Sequence, residues 1–250
     1  MGANNIGEHC RELDRCNQRG GRMLSVADLI EAETASLPLA AALTAHIASG
    51  GSFMVGADPG GAGKTTVMCA LLNFLPADID ILPATPENIQ QKSTAISHRQ
   101  CYVCHEIGVG SYFAYLWGES LRQYCALGSR GHILATNLHA DTLDETMEQV
   151  CTVNRVPLEQ FRHFSLLIYL RVNKPSRIIH QVYVSNAGQP HVLAYDAASG
   201  IFRDELFAGQ QKQQACHTFL KQFLKQQGRT IQDMRQAVVS SPLLSELRRQ

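Results

Sequence analysis

The sequence predicts an α/β fold in which a mostly parallel sheet is flanked by helices. Apolar runs with strand character alternate with segments of helical character, and a glycine-rich turn at residues 56–63 joins the first of these strands to its helix. Because parallel strands need a long crossover connection, usually a helix, this alternation favours parallel pairing. After residue 161, three β-rich runs separated by short turns predict an antiparallel meander.

Composition limits the class of protein. The chain has 250 residues, of which 45% are hydrophobic and 18% charged, and its formal net charge is zero. This balance is typical of a globular protein and gives no indication of a surface for nucleic acid or lipid. No apolar run approaches the length of a bilayer-spanning helix, and residues 1–22 lack an apolar signal core. We therefore expect a cytoplasmic protein that reaches a membrane only through a partner and binds no nucleic acid directly.

Helices are predicted before the glycine-rich turn. Residues 8–18 form either a helix or part of a loose tail. Ser25 has the character of an N-cap, with Asp28 at the third helical position. A second helix is predicted from Ser36 to the glycine pair at residues 50–51, since proline is favoured in the first turn of a helix and glycine after its end.

The glycine-rich turn has the sequence Gly-Ala-Asp-Pro-Gly-Gly-Ala-Gly-Lys-Thr-Thr over residues 56–66 and lies between a strand candidate and a helix candidate. This is the context of a P-loop, in which backbone N–H groups and the helix N-terminus bind phosphate. Lys64 would reach the β- and γ-phosphates, and the hydroxyl of Thr65 would bind Mg²⁺. The predicted ATP-binding residues are Gly60, Gly61, Ala62, Gly63, Lys64, Thr65 and Thr66.

One position departs from the P-loop pattern G-x-x-x-x-G-K-[ST]. Asp58 stands where the first glycine is expected, five residues before Gly63. A carboxylate near a triphosphate is unfavourable unless it points away or meets the metal, so we expect Asp58 to weaken nucleotide binding. The alternative interpretation is a glycine-rich turn at a helix N-terminus that binds no nucleotide.

Two later strands of the predicted sheet end in polar side chains. Residues 100–107 form an apolar strand with Glu106 near its carboxyl end, and residues 132–138 form another that is followed by His139. Ligands bind at the carboxyl ends of the strands in open α/β sheets, so Glu106 and His139 are candidate site residues. His132 lies on the opposite strand face from His139 and cannot point at the same phosphate.

The remaining segments complete the predicted order. A short strand at residues 79–82 is followed by Glu87, and a long helix is predicted at residues 111–126. Asp141 has the character of an N-cap for the helix after His139. The chain is therefore predicted to divide into three parts: a helical lead-in at residues 1–50, a core with the meander at residues 51–205, and a helical C-terminal region at residues 206–250.

The eight cysteines are predicted to be reduced, because Cys69, Cys101, Cys104 and Cys125 lie in apolar segments, where free cysteine behaves as a small hydrophobe. Residues 101–105 have the C-x-x-C-H spacing of a haem-attachment motif. In a strand, however, cysteines three positions apart point to opposite faces, so we reject that interpretation. Three side chains near the N-terminus are too few for a confident metal site: His9, Cys10 and Cys16.

Four stretches together resemble the traffic ATPases of type II and type IV secretion and of type IV and tight-adherence pilus assembly. The resemblance spans roughly residues 24–195 and lies in four places: Ser-Val-Ala-Asp-Leu-Ile at 25–30, the glycine loop with residues 70–76, Cys-His-Glu-Ile at 104–107, similar to the atypical Walker B strand, and residues 131–140, similar to the histidine box. It implies a RecA-like P-loop NTPase fold, ATP and Mg²⁺ as cofactors, a hexameric homo-oligomeric ring, and an inner-membrane platform protein as partner.

The resemblance also implies roles for single residues. Glu106 would hold the metal through water or orient the attacking water, and His139 would link the γ-phosphate state to movement. Glu87 is the carboxylate available for the acidic-box role of the family. The arginine that often follows the Walker B glutamate is absent, since Ile107 and Gly108 stand there.

Two functions fit this sequence. One is an ATP-hydrolysing subunit of a ring-shaped secretion or pilus-assembly motor, which the intact Lys64, Glu106 and His139 favour. The other is a catalytically reduced, nucleotide-binding regulatory module of the same fold, which Asp58 and the missing arginines favour. An arginine is worth several kcal/mol of the barrier to phosphoryl transfer. The charge could come from another subunit or from one of three residues of this chain: Arg11, Arg15 and Arg99.

Overall fold

The structure is a computed structural model that describes residues 6–17, 20–58, 60–91, 98–173, 176–186 and 188–246. The strands are β1 Phe53–Gly56, β2 Asp80–Pro83, β3 Gln100–Ile107, β4 Tyr115–Leu116, β5 Ile133–Leu138, β6 Leu166–Asn173, β7 Ser176–Val184, β8 Val192–Asp196 and β9 Ile201–Phe202. The α-helices are α1 Ile6–Arg15, α2 Val26–Glu31, α3 Leu37–Ala48, α4 Lys64–Leu72, α5 Pro86–Gln91, α6 Glu119–Gly128, α7 Leu143–Met147, α8 Leu158–Phe161, α9 Gln210–Phe223, α10 Ile231–Ser240 and α11 Pro242–Glu246. A π-helical segment, Glu148–Val153, continues α7.

The strands of the described residues form one sheet in the order β2-β3-β5-β1-β6-β7-β8-β9, with β4 paired to β3. Pairing is parallel from β2 to β6 and antiparallel from β6 to β9. In the centre, Val55 of β1 lies between Asn137 of β5 and Ile168 of β6. The prediction of a mostly parallel sheet with an antiparallel meander is confirmed.

Two apolar clusters cover the two faces of the sheet. Neighbouring residues of β1 belong to different clusters, Val55 to the larger and Met54 to the smaller, because side chains alternate along a strand. The larger cluster packs α1 to α4 and α9 to α11 on one face, and the smaller packs α5, α6 and α8 on the other. The larger cluster contains residues from all three parts of the predicted division at residues 50 and 205, and that division stays a prediction.

The helices before β1 follow their predicted capping residues. The backbone N–H of Ser25 donates to the Asp28 carboxylate over 2.7 Å at the start of α2. The hydroxyl of Ser36 accepts the N–H of Leu39 at the start of α3. The N-terminal segment is helical as α1 rather than a loose tail. Within the described residues, none of the helices has both the length and the apolar content needed to cross a bilayer.

Two predicted helices differ from the structure. The helix predicted at residues 111–126 is wrong in its first half, because Tyr115 and Leu116 form β4 against β3 and α6 begins only at Glu119. Asp141 is not the N-cap of the next helix, since Thr142 holds that position and its hydroxyl accepts the N–H of Glu145. The backbone of residues 115–116 pairs with β3, and the carboxylate of Asp141 accepts the N–H of Asp58 instead of capping the next helix.

Arg235 fixes the carboxyl end of α4. This arginine of α10 is 2% exposed, and its Nη1 donates to the carbonyl oxygens of Asn73 at 2.9 Å and Leu75 at 2.6 Å. A cation at a helix C-terminus satisfies carbonyl groups that have no partner within the helix and interacts favourably with the helix dipole. The contact holds α4, whose first residue is Lys64, in a defined position against the sheet.

Candidate functional site

Residues 57–63, called the glycine loop below, join β1 to α4 at the carboxyl edge of the parallel strands, although Pro59 lies outside the described residues. Gly61 and Gly63 have φ angles of +92° and +96°. Residues with a side chain rarely adopt such angles, so the sharp turn into α4 depends on glycine at both positions. The sequence-predicted strand, glycine turn and helix are therefore present in that order.

Lys64 is the first residue of α4, and its side chain turns back into the glycine loop. The residue is 7% exposed, and Nζ lies 3.2 Å from the carbonyl oxygen of Ala57, 3.3 Å from Oε1 of Glu106 and 3.3 Å from Nδ1 of His139. Burial lowers the pKa of Lys64, and the Glu106 carboxylate opposes that change. The ammonium group is thus held inside the loop, where phosphate oxygens could replace its present acceptors.

Glu106 faces Lys64 from the carboxyl end of β3. It is 7% exposed, and burial raises the pKa of Glu106, while the charges of Lys64 and His139 act in the opposite direction. Its Oε2 lies 3.9 Å from Nε2 of His139. Three predicted site residues that are far apart in the sequence, Lys64, Glu106 and His139, therefore meet at one point of the sheet edge.

Asp58 lies on the open side of this cluster. Its Oδ1 is 3.7 Å from Nδ1 of His139, and its side chain is 66% exposed. The backbone N–H of Asp58 donates to the carboxylate of Asp141 over 2.7 Å. Asp141, which the sequence suggested as a helix cap, instead fixes the glycine loop. The negative charge of Asp58 therefore lies within the glycine loop and next to His139.

Asn137 is a site residue that the sequence analysis missed. This residue of β5 is buried, and its Nδ2 donates to the carbonyl oxygen of His105 at 2.8 Å and to Oγ1 of Thr65 at 3.4 Å. It thereby connects the strand that contains Glu106 with the first turn of α4. A polar amide inside an otherwise apolar strand, two positions before His139, was the available signal.

Arg177 is the second residue that the sequence analysis missed. From β7, its Nε donates to the carbonyl oxygen of Gly61 over 3.3 Å. A Cβ atom placed on Gly63 would lie 3.4 Å from Cδ of Arg177, so the side chain runs along the glycine loop. No local pattern in the meander indicated this contact. Only the pairing of β7 with β6, in which Arg177 is opposite Val172, brings the guanidinium to the loop.

The three arginines proposed from the sequence are bound elsewhere in this chain. Arg99 donates to the carbonyl oxygens of Gly50 and Gly131, beside the amino end of β3 and thus at the other end of the strand from Glu106. Arg11 and Arg15 pair with glutamates of their own helix, α1. Within the described residues, none of these contacts connects the three arginines to Lys64, Glu106 or His139, so the suggestion that one of them completes the site stays a prediction.

Glu87 is exposed near the start of α5. Within the described residues, no hydrogen bond or ion pair connects it to Lys64, Glu106 or His139. Its acidic-box role stays a prediction that rests on the sequence resemblance. The same holds for phosphate binding by the whole predicted set, which is Gly60, Gly61, Ala62, Gly63, Lys64, Thr65 and Thr66.

The residues at the loop fit a hard divalent cation. Among the described residues, no group of three or more His, Cys, Asp and Glu side chains has an arrangement that would hold a metal ion by itself. Mg²⁺, however, usually takes only one or two protein oxygen ligands together with water and phosphate. Oε1 of Glu106 is buried with Nζ of Lys64 as its ion-pair partner at 3.3 Å, and the hydroxyl of Thr65 lies in the adjacent turn. These two oxygens suit a cation that is bound together with a phosphate ligand.

This chain was compared with known proteins, and the similarity found is low. No family model matches the sequence, and no curated protein matches it. The VirB11 ATPase from the Brucella suis type IV secretion system, solved with sulfate, is 17% identical over 57% of this chain, with a TM-score of 0.42. The Legionella pneumophila ATPase DotB is 11% identical over 92% of this chain and 67% of its own, with a TM-score of 0.41. The aligned part spans half of the VirB11 chain.

Proposed function

We propose that this chain is a P-loop NTPase that binds ATP with Mg²⁺ at the glycine loop and hydrolyses it. The main support is the convergence of Lys64, Glu106 and His139 beside a glycine turn and a helix N-terminus. Phosphoryl transfer needs charge neutralisation and a positioned nucleophile more than it needs covalent help, and these side chain types supply both. Backbone N–H groups at the start of α4 would bind the phosphates.

The present contacts suggest what each residue does when nucleotide binds. Lys64 exchanges Ala57 and Glu106 for phosphate oxygens, which are stronger partners for a buried ammonium. Glu106, released from Lys64, holds a water for attack or for the metal. His139 touches both residues and is therefore placed to respond to the γ-phosphate. Mg²⁺, when bound by Thr65 and Glu106, supplies charge neutralisation.

The positive charge near the phosphates is proposed to come from Arg177 in the same chain. Arg177 donates one hydrogen bond, from Nε to the carbonyl oxygen of Gly61. Its two terminal amino groups make no hydrogen bond within the described residues. A guanidinium has five N–H donors and stays charged, so it can bind phosphate while keeping the loop contact. This role replaces the one first considered for Arg99.

For the biological role we propose a subunit of a homo-hexameric motor that drives secretion or pilus assembly from the cytoplasm. The inner-membrane platform protein would be its partner and would hold it peripherally at the membrane. The support is the sequence resemblance around the four motifs together with the site geometry. A second candidate, a nucleotide-binding regulator with little turnover, is favoured by one observation, the carboxylate of Asp58 3.7 Å from His139.

Steady-state phosphate release from Mg-ATP, measured over a range of protein concentrations, separates these proposals. The variants are Lys64→Ala and Glu106→Gln, and Lys221→Ala on the exposed side of α9 is the matched control. A ring-forming ATPase gives a specific activity that rises with protein concentration and is lost in both site variants but not in the control. ATP binding without phosphate release at any concentration would contradict the motor and support the regulator.

A further inference from the structure

We infer that Cys16 and Cys69 form a redox-sensitive pair of thiols, which a small hydroperoxide such as hydrogen peroxide converts to a disulfide. Both are free thiols in this structure. Cys16 directly follows the last residue of α1, and Cys69 lies within α4, the helix that begins with Lys64. The disulfide would therefore join the N-terminal helix to the helix that follows the glycine loop. The inference does not depend on the proposed function.

The two cysteines meet at one carbonyl group of α1. The carbonyl oxygen of Leu13 accepts the backbone N–H of Cys16 over 3.1 Å and the thiol of Cys69 over 3.8 Å. The side chains also interact directly, because the thiol of Cys69 hydrogen-bonds to the sulfur of Cys16. Two cysteines can be joined without rearrangement of the backbone only if they are neighbours in space. The shared acceptor places these two side by side, although they are far apart in the sequence.

His105 is the second partner of the Cys16 sulfur. Its Nε2 lies 3.3 Å from Sγ of Cys16, and its ring packs edge to face on Phe113, with the centroids 5.4 Å apart. The thiol of Cys69 and, to a smaller extent, His105 lower the pKa of Cys16 to about 6, although burial opposes this change. At neutral pH Cys16 is therefore mainly a thiolate, which is the form of cysteine that attacks a peroxide.

The oxidation needs hydrogen peroxide and no other reagent. The Cys16 sulfur attacks one peroxide oxygen, the O–O bond breaks, and the hydroxide that leaves takes a proton and becomes water. Cys16 is then a sulfenic acid. The Cys69 sulfur attacks the Cys16 sulfur, the S–O bond breaks, and the released hydroxide combines with the thiol proton of Cys69 as a second water. The two sulfurs together lose two electrons, which reduce the peroxide.

The second step is helped by the first. The hydrogen bond to Cys16 is the largest cause of the raised pKa of Cys69, and burial is the next. Oxidation of Cys16 removes the thiolate that accepts this hydrogen bond. Cys69 then loses its proton more easily, and its sulfur becomes a better nucleophile toward the sulfenic acid.

Burial restricts which oxidants can reach the pair. Cys16 is 3% exposed and Cys69 is fully buried, so a peptide or protein disulfide cannot approach either sulfur, whereas hydrogen peroxide is little larger than water. Cys151 provides a comparison within the same chain. It is more exposed than Cys16, but burial raises the pKa of Cys151 to about 11. Exposure alone would make Cys151 react first, and thiolate character would make Cys16 react first.

Peptide mapping of the full chain by mass spectrometry tests the inference. The reduced wild type is treated with equimolar hydrogen peroxide at neutral pH, and the remaining thiols are alkylated before digestion. Cys16→Ala and Cys69→Ala each remove one half of the pair. Cys151→Ala is the matched control, because it removes a thiol that has no part in the inferred disulfide.

We expect linked peptides that contain Cys16 and Cys69 in the wild type and in Cys151→Ala, and none in the two pair variants. Cys16 should be consumed at least about 10-fold faster than Cys151, because a far larger fraction of it is thiolate. The urea midpoint of the oxidised wild type should rise and should return after reduction, because a disulfide restrains the unfolded chain.

Two results would overturn the inference. One is that Cys16 and Cys69 of the wild type are both alkylated after the peroxide treatment. The other is that Cys151 is oxidised before Cys16. Both results come from the wild type alone, so they hold whether or not the alanine variants fold. Circular dichroism of each variant shows whether it is folded.

Discussion

Lys64 and Glu106 form a buried ion pair, with Nζ 3.3 Å from Oε1. Burial shifts the pKa of both groups toward the neutral form, downward for Lys64 and upward for Glu106. Each charge is therefore unfavourable alone and is retained because the other is present. A nucleotide with its cation would provide both residues with new partners, which is why this pair lies at the centre of the proposed function.

The first prediction concerns the mutual dependence of this pair. Lys64→Met and Glu106→Gln should each lower the free energy of unfolding by roughly 3 kcal/mol, because each leaves one buried charge without its partner. The double variant should be more stable than the sum of the two single changes implies. Urea unfolding of all four proteins measures the coupling. Strict additivity would show that the two residues do not interact.

The second prediction concerns Asp58. Asp58→Asn should raise the affinity for Mg-ATP about 5-fold, because it removes a negative charge close to the phosphates that is worth about 1 kcal/mol at an exposed site. Asp80→Asn, at the exposed start of β2, is the control and should have no effect. Isothermal titration calorimetry gives both affinities. A loss of affinity in Asp58→Asn would show that this carboxylate helps to hold the metal.

The third prediction is a pH dependence that arises at Cys16. The neighbouring thiol of Cys69 and the ring of His105, whose Nε2 lies 3.3 Å from the sulfur, lower the pKa of Cys16 to about 6 from 9.0, although burial opposes this change. For an acid with a lowered pKa in the folded state, stability is present above the unfolded pKa and is lost as the pH falls through the folded value. Burial and Cys16 raise the pKa of Cys69, so Cys69 stays protonated across this window.

Between pH 6 and pH 9 the wild type should therefore gain stability relative to Cys16→Ala, on the order of 3 kcal/mol. Urea unfolding under reducing conditions at several pH values in this window gives the difference. An equal pH dependence of the two proteins would show that Cys16 is not a thiolate in the folded state.

The fourth prediction concerns Arg235. Arg235→Met should destabilise the fold by about 3 kcal/mol, because the carbonyl oxygens of Asn73 and Leu75 lose a buried charged donor at the end of α4. Arg130→Met, at an exposed position after α6, is the control for the loss of an arginine. Urea midpoints compare the two variants. Equal stability of both variants would mean that the carbonyl groups at the end of α4 find other hydrogen-bond donors.

The sequence predicted the central parallel strands β1, β2, β3 and β5 well, because each has a local signal, but it missed the parallel strand β4. β3 has the predicted bounds, Gln100–Ile107, and all of its residues are buried; a run of this length is consistent with a fully buried strand. The start of α6 could not be predicted. The pairing of Tyr115 with Glu106 is a tertiary contact that overrides the helical pattern of residues 111–118.

The candidate site was predicted in part for the same reason. Lys64 follows the glycine turn, Glu106 lies near the carboxyl end of β3 and His139 follows β5, and the carboxyl ends of parallel strands meet at one edge of the sheet. The contact of Arg177 with Gly61 depends on how the antiparallel strands fold back toward the loop. That arrangement is set by the register of β6 with β7. The register cannot be predicted from the spacing of residues within either strand.

Calorimetric titration of Mg-ATP into the wild type, Lys64→Ala and Lys221→Ala tests the central claim most directly. If the glycine loop is the nucleotide site, the wild type and Lys221→Ala bind alike. Lys64→Ala then binds roughly 100-fold more weakly, because it loses charge-assisted contacts to phosphate worth about 3 kcal/mol. Equal affinities of Lys64→Ala and the wild type would contradict the assignment of this loop as a nucleotide site.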